Sequence, residues 1–148
     1  MLVRLLPEQA AAQWDDIKLA VEGSLPPIVG GASDRMSNIL TGILTDEITV
    51  WVSVEVDNEL NNKITGILLT TIIMDGPSKT KSLLLYCLYT YKNTLKESWE
   101  SGLNTIKKYA ETLKCDRIVA YSDVESIVKF AKHAGADTRY TFISFPLK

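Results

Sequence analysis

The spacing of hydrophobic positions along this chain changes period several times, and each change marks an element. From Ile48 to Val56, the residues Ile48, Val50, Val52, Val54 and Val56 alternate with Thr49, Trp51, Ser53 and Glu55. A period of two puts every apolar side chain on one face, so this segment predicts a strand with one buried side. Lys63–Met74 is apolar on both faces, with Ile64, Leu68 and Ile72 on one and Ile67, Leu69 and Ile73 on the other. A strand of that kind is covered from both sides. Asp57–Asn62 and Asp75-Gly76-Pro77-Ser78 have turn chemistry, and Ser82–Tyr91 returns as a third buried strand. Strict alternation there places Cys87, Tyr89 and Tyr91 on one face and Tyr86 on the other.

Elsewhere the period lengthens to that of a helix. Val3–Leu6 reads as a first strand, and Pro7-Glu8 opens a helix carrying Ala10, Trp14, Ile17 and Val21 on its inner side. Gly23 and Pro26-Pro27 end it, and Ile28–Ala32 is a loop. Ser33 or Asp34 caps a second helix, which turns Met36, Ile39, Leu40 and Ile43 inward. Trp99, Leu103, Ile106, Ala110 and Leu113 form one helical stripe, with Lys96, Glu100, Lys107, Lys108 and Glu111 outside it. Arg117–Tyr121 is a short strand, so the strand–helix–strand passage predicts a parallel, right-handed crossover. Val124, Ile127, Phe130, Ala131 and Ala134 mark a further helix ended by Gly135, and Thr138–Leu147 reads as a final strand. The predicted order is β-α-α-β-β-β-α-β-α-β, a mixed α/β sheet flanked by helices.

Length and charge narrow the class without naming a function. The 148 residues suit one self-sufficient core over residues 1–148, and a net charge of −2 with no basic run argues against nucleic acid as a partner. The apolar runs are too short to span a bilayer, and no leader pattern opens the chain. No membrane association and a cytoplasmic location are expected. Cys87 and Cys115 have no pairing motif and read as free thiols. With one histidine, His133, and no clustered cysteine, no metal site is expected.

The element order resembles that of the Gcn5-related N-acetyltransferases, the GNAT superfamily. The best local echoes are the strand Leu83–Tyr91 leading into the Trp99–Leu113 helix, the strand Arg117–Tyr121, and the helix Ser126–Gly135 with Phe130 and Gly135-Ala136. The resemblance implies acetyl-CoA as cofactor. Its pantetheine arm would lie along the end of the fourth strand, where Leu88 and Tyr89 fall. Its pyrophosphate would rest on a glycine-rich turn opening the next helix, where free amides and the helix dipole attract an anion.

This chain departs from that pattern at two places. Tyr91-Lys92-Asn93-Thr94-Leu95-Lys96-Glu97-Ser98 contains no glycine, and Glu97 repels a phosphate. Where many members carry a tyrosine general acid the count falls on Ala131, and the asparagine often found seven residues earlier falls on Val124. The strand Leu83–Tyr91 has no Asp, Glu or His to serve as base. Two functions stay open. One is a GNAT-like binding or structural component that has lost acetyl transfer, similar to small proteins of bacteriophages and virions, working with a protein partner or as a homo-oligomer. The other is an acyltransferase with an atypical site: Lys92, Asn93 and Lys96 on the phosphates, and Tyr121 or a tyrosine of the Leu83–Tyr91 strand as acid. Cys87 as acyl acceptor is weighed against a packing role, and the missing glycines and Ala131 favour the structural reading.

Overall fold

The computed structural model describes residues 1–31, 33–91 and 96–147. Among them, the strands β1 (Leu2–Arg4), β2 (Ile48–Val56), β3 (Asn62–Met74), β4 (Lys81–Thr90) and β5 (Arg117–Ala120) form one sheet in chain order. β1 to β4 are antiparallel neighbours, and β5 joins β4 in parallel through the predicted crossover. The helices are α1 (Pro7–Ala12), α2 (Trp14–Glu22), α3 (Arg35–Leu44), α4 (Lys96–Thr112) and α5 (Glu125–His133). The mixed α/β class is the one the hydrophobic pattern predicts.

The alternation of β2 divides the interior into two layers. Val50 and Val52 join Ile17, Val21, Ile39, Ile43 and Leu69 in a core beneath α1, α2 and α3. Trp51 points to the opposite face and meets Leu68, Leu83, Ile106 and Ala110 beneath α4. The buried indole keeps a partner there, because Trp51 Nε1 donates to Thr70 Oγ1 at 3.1 Å. Its ring also stands edge-on to Tyr109, with centroids 4.9 Å apart.

Two elements differ from expectation. The first predicted helix is two, broken at Gln13 (φ −111°, ψ 19°), whose amide bonds back only three residues to Ala10. Ala10 and Ile17 are both buried across that break, so the apolar stripe runs through it and carries no sign of it. The larger difference is at 138–147, which forms no strand. Period-two patterning reports a preference for the pleated conformation, but a strand exists only where a neighbour takes its N–H and C=O groups.

Local signals at helix ends fare better. Pro7 takes the first position of α1, and the Leu6 amide donates to Gln9 Oε1 at 2.8 Å. Gly135 adopts φ +96° after α5, with the Ala136 amide reaching back to Ala131 O. Only a residue without Cβ takes that conformation at low cost. Asp34 stands at the cap of α3, but its carboxylate makes no capping bond.

A candidate cofactor fork between two parallel strands

β4 and β5 stay in register over four pairs, from Ser82↔Arg117 to Leu85↔Ala120. β5 then stops, while β4 runs on to Thr90. From Tyr86 to Thr90 the β5-side edge of β4 therefore faces no strand among the described residues. An open edge of this kind offers main-chain donors and acceptors to any extended, amide-bearing chain.

A bulge falls at the mouth of this fork. Leu69 pairs with Cys87 and Thr70 with Leu85, which leaves Tyr86 as the extra residue. Bulges re-aim side chains, and Tyr86 packs with Cys87 and Tyr89 on the α1–α3 face. The expectation that Tyr86 faces away from Cys87 is thus corrected. Tyr86 also lines a cavity of about 370 Å³ together with Arg35, Asn38, Glu47 and Thr71. Fork and cavity share this residue.

The sequence candidates distribute around the fork as follows. Tyr121 comes directly after Ala120, so Tyr86 and Tyr121 are the first residues past the last registered pair on each strand. Tyr121 is 37% exposed and meets Phe142 edge-on at 5.3 Å. Leu88 packs on the α4 side of the sheet and Tyr89 on the other, so the two flank the open edge from both faces. Lys92 and Asn93 lie outside the described residues. Lys96 is the first residue of α4, and its ammonium sits 3.8 Å from Glu100 on the next turn. That exposed pair contributes little and leaves the charge available to solvent or a ligand.

Glu55 escaped the sequence reading. It comes from the end of β2, and its Oε1 accepts a 2.9 Å hydrogen bond from the Ser98 hydroxyl in the first turn of α4. Glu97 lies in the same turn. Two carboxylates therefore stand where the positive end of the helix dipole would otherwise draw an anion. Sequence carries no signal for this, because 43 residues separate the two partners.

Cys87 is placed as a packing residue rather than as a nucleophile. Burial pushes its thiol up to about 12, outweighing the Ser24 hydroxyl that draws it down. The thiolate is the reactive form, so a thiol held neutral and buried is inert. Burial also raises Tyr86, with Cys87 adding to the effect, and raises Tyr91, where Asp16 and Tyr89 contribute. Both phenols stay protonated at neutral pH. His133 is exposed in the last turn of α5 beside Lys132, where cations suit the carbonyl end of a helix. Among the described residues, no three His, Cys, Asp or Glu side chains gather to hold a metal ion. No described helix is long and apolar enough to cross a membrane.

No protein-family model matches this sequence, and no curated protein matches it. Its fold is nevertheless found in solved structures. It is similar to an aminoglycoside acetyltransferase from an uncultured soil metagenomic sample, with TM-score 0.70, 13% identity, and coverage of 100% of this chain and 98% of that one. A structure described as a probable acetyltransferase gives TM-score 0.69 at 14% identity, with the same coverage. A predicted acetyltransferase from Clostridium acetobutylicum, solved with acetyl-CoA, gives 0.67 at 13%, covering 99% of this chain and 96% of that one. Identities this low speak for architecture alone. The fold of this chain is that of the GNAT acetyltransferases.

Proposed function

We propose that this chain is an acyl-CoA-dependent acyltransferase whose cofactor arm lies in the fork between β4 and β5. The observation that carries the reading is the fork itself: β4 continues past Leu85 without β5, and a bulge at Tyr86 opens toward a cavity. Acyl-CoA would supply an activated thioester and a thiolate leaving group. The residues at the fork fit the pantetheine arm, since the free edge of Tyr86–Thr90 can pair with its amides while Leu88 and Tyr89 shield it. The start of α4 fits the pyrophosphate less well, because Glu55 and Glu97 oppose it and Lys96 is the described cation there. Tyr121, standing where β5 ends, is the proposed acid for the departing thiolate. An acceptor amine would enter through the cavity that Tyr86 lines.

A structural component without transfer chemistry, in a virion or elsewhere, is the second reading. The carboxylates at the α4 start favour it. A thermal-shift titration with acetyl-CoA, followed by a thiol-release assay with amine acceptors, separates the two. Binding at a hundredfold excess over Kd adds about 2.7 kcal/mol of apparent stability. Lys96→Glu is expected to weaken that shift, and Tyr121→Phe to leave it intact while slowing release by about 10²-fold or more. No shift at millimolar acetyl-CoA sinks the acyltransferase reading.

A further inference from the structure

The cavity beside the fork carries opposite charges that have no partner within the chain. Arg35 of α3 and Glu47 both line it, yet they form no ion pair with each other. Among the described residues, neither has an ion pair elsewhere. Helix stability does not account for Arg35, which takes the first position of α3, where the dipole disfavours a cation. Asn38 lies one turn further along and lines the same cavity, so guanidinium and amide together offer donors suited to a carboxylate. Glu47 is anchored through its backbone. Its carbonyl oxygen accepts the Thr71 hydroxyl at 3.0 Å, and the preceding Asp46, at φ 65°, pairs with Arg4 at 3.7 Å. The Glu47 carboxylate takes no part in these bonds.

These charges stand apart from the mouth of the fork. Tyr86 is level with Leu69 and Thr70 of β3, whereas Glu47 lies just outside Ile48, the partner of Thr71. Two strand spacings and about two residues of rise put the Tyr86 and Glu47 backbones roughly 12 Å apart. The wall between is apolar, made by Val29, Ile39 and Ile48. An acceptor filling this space needs an amine at the Tyr86 end, an apolar stem, and a zwitterion at the far end.

We infer that the acyl acceptor is a small diamino acid of the lysine or ornithine kind. Its α-carboxylate lies on Arg35 and Asn38, its α-ammonium on Glu47, and its side-chain amine at Tyr86. The last of these contacts rests on the acyltransferase reading of the fork. The four-carbon stem of a lysine-like ligand suits the apolar span. In the transfer, the neutral side-chain nitrogen forms a C–N bond to the acyl carbon as the C–S bond breaks. The leaving sulfur takes the phenol proton of Tyr121, and the nitrogen gives up one proton, which restores that phenol through solvent. A diamine without a carboxylate meets Arg35 with like charge and is disfavoured.

The test is calorimetry on the full chain, with and without coenzyme A. The ligands are lysine, cadaverine, which lacks the carboxylate, and Nα-acetyl-lysine, which lacks the α-ammonium. Lysine is expected to bind, and each analogue to bind about tenfold more weakly or worse, as the loss of a charge-assisted hydrogen bond implies. Arg35→Gln should erase the preference over cadaverine, and Glu47→Gln the preference over Nα-acetyl-lysine. The ligand comparison on the unaltered chain needs no variant. Lysine bound no better than its analogues overturns the inference, and so do variants that keep both preferences. Absence of lysine binding from a chain that acetyl-CoA stabilises overturns it while leaving the fork reading standing. Selective lysine binding by a chain that acetyl-CoA does not stabilise overturns the acceptor role together with the acyltransferase reading.

Discussion

Cys87 gives the sharpest quantitative test. Its side chain is 3% exposed, and burial raises its thiol from an ordinary 9.0 to about 12. A thiol that holds its proton more tightly when folded adds stability that is complete below the unfolded value. That stability drains away as the pH climbs toward the folded value. With those limits the loss is on the order of 1 kcal/mol at pH 10 and about twice to three times that at pH 11. The assay is urea denaturation from pH 7.5 to 10.5 of the unaltered chain and of Cys87→Ala. The variant loses some packing at every pH, but it lacks the titrating group, so the gap between the two proteins should narrow as the pH rises. Tyr91 titrates in both proteins and cancels, while the part of the Tyr86 shift that Cys87 supplies is absent from the variant and narrows the gap further. A gap that does not change between pH 8 and 10.5 would refute the reasoning, as would rapid reaction of Cys87 with a thiol reagent in the folded state. The same inertness means that no transfer reaction passes through an acyl-Cys87 intermediate, so Cys87→Ala should retain any transfer activity.

Further outcomes follow from single contacts. Thr70→Val keeps shape but strips the acceptor from the buried Trp51 indole, and should cost about 1–3 kcal/mol by denaturant titration. Gly42→Ala puts a Cβ 2.7 Å from Ile48 Cδ1, so it should destabilise by about 1 kcal/mol despite the better helix propensity of alanine. Most of that loss should vanish in an Ile48→Val background, where the offending methyl is gone; an equal loss in both backgrounds refutes the contact. Glu55→Gln preserves the acceptor for Ser98 while removing a charge, so acetyl-CoA affinity measured by calorimetry should rise several-fold. Unchanged or weaker binding would remove Glu55 from the site.

Much of the fold was legible in the residues because it depends on neighbours in sequence. The alternation of β2, the stripe of α4, Pro7 and Gly135 each act over a few positions, and periodicity or backbone sterics fixes them without help from afar. The two-faced apolar runs of β3 and β4 likewise announced a covered sheet. The GNAT resemblance followed from their order, and the structure bears it out as a fold.

What the residues did not announce depends on partners distant in the chain. Alternation assigned Tyr86 to the wrong face, since a bulge in β4 becomes visible only when its pairing with Leu69 and Thr70 is known. The fork exists because β5 ends at Ala120 while β4 continues, a relation between two strands rather than a property of either. Glu55 reaches the start of α4 only through the packing of that helix across the sheet. At 138–147 the local preference for a strand is plain, yet no strand forms there. Propensity is written residue by residue, whereas the hydrogen bonds that complete a strand come from whatever the folded chain sets alongside.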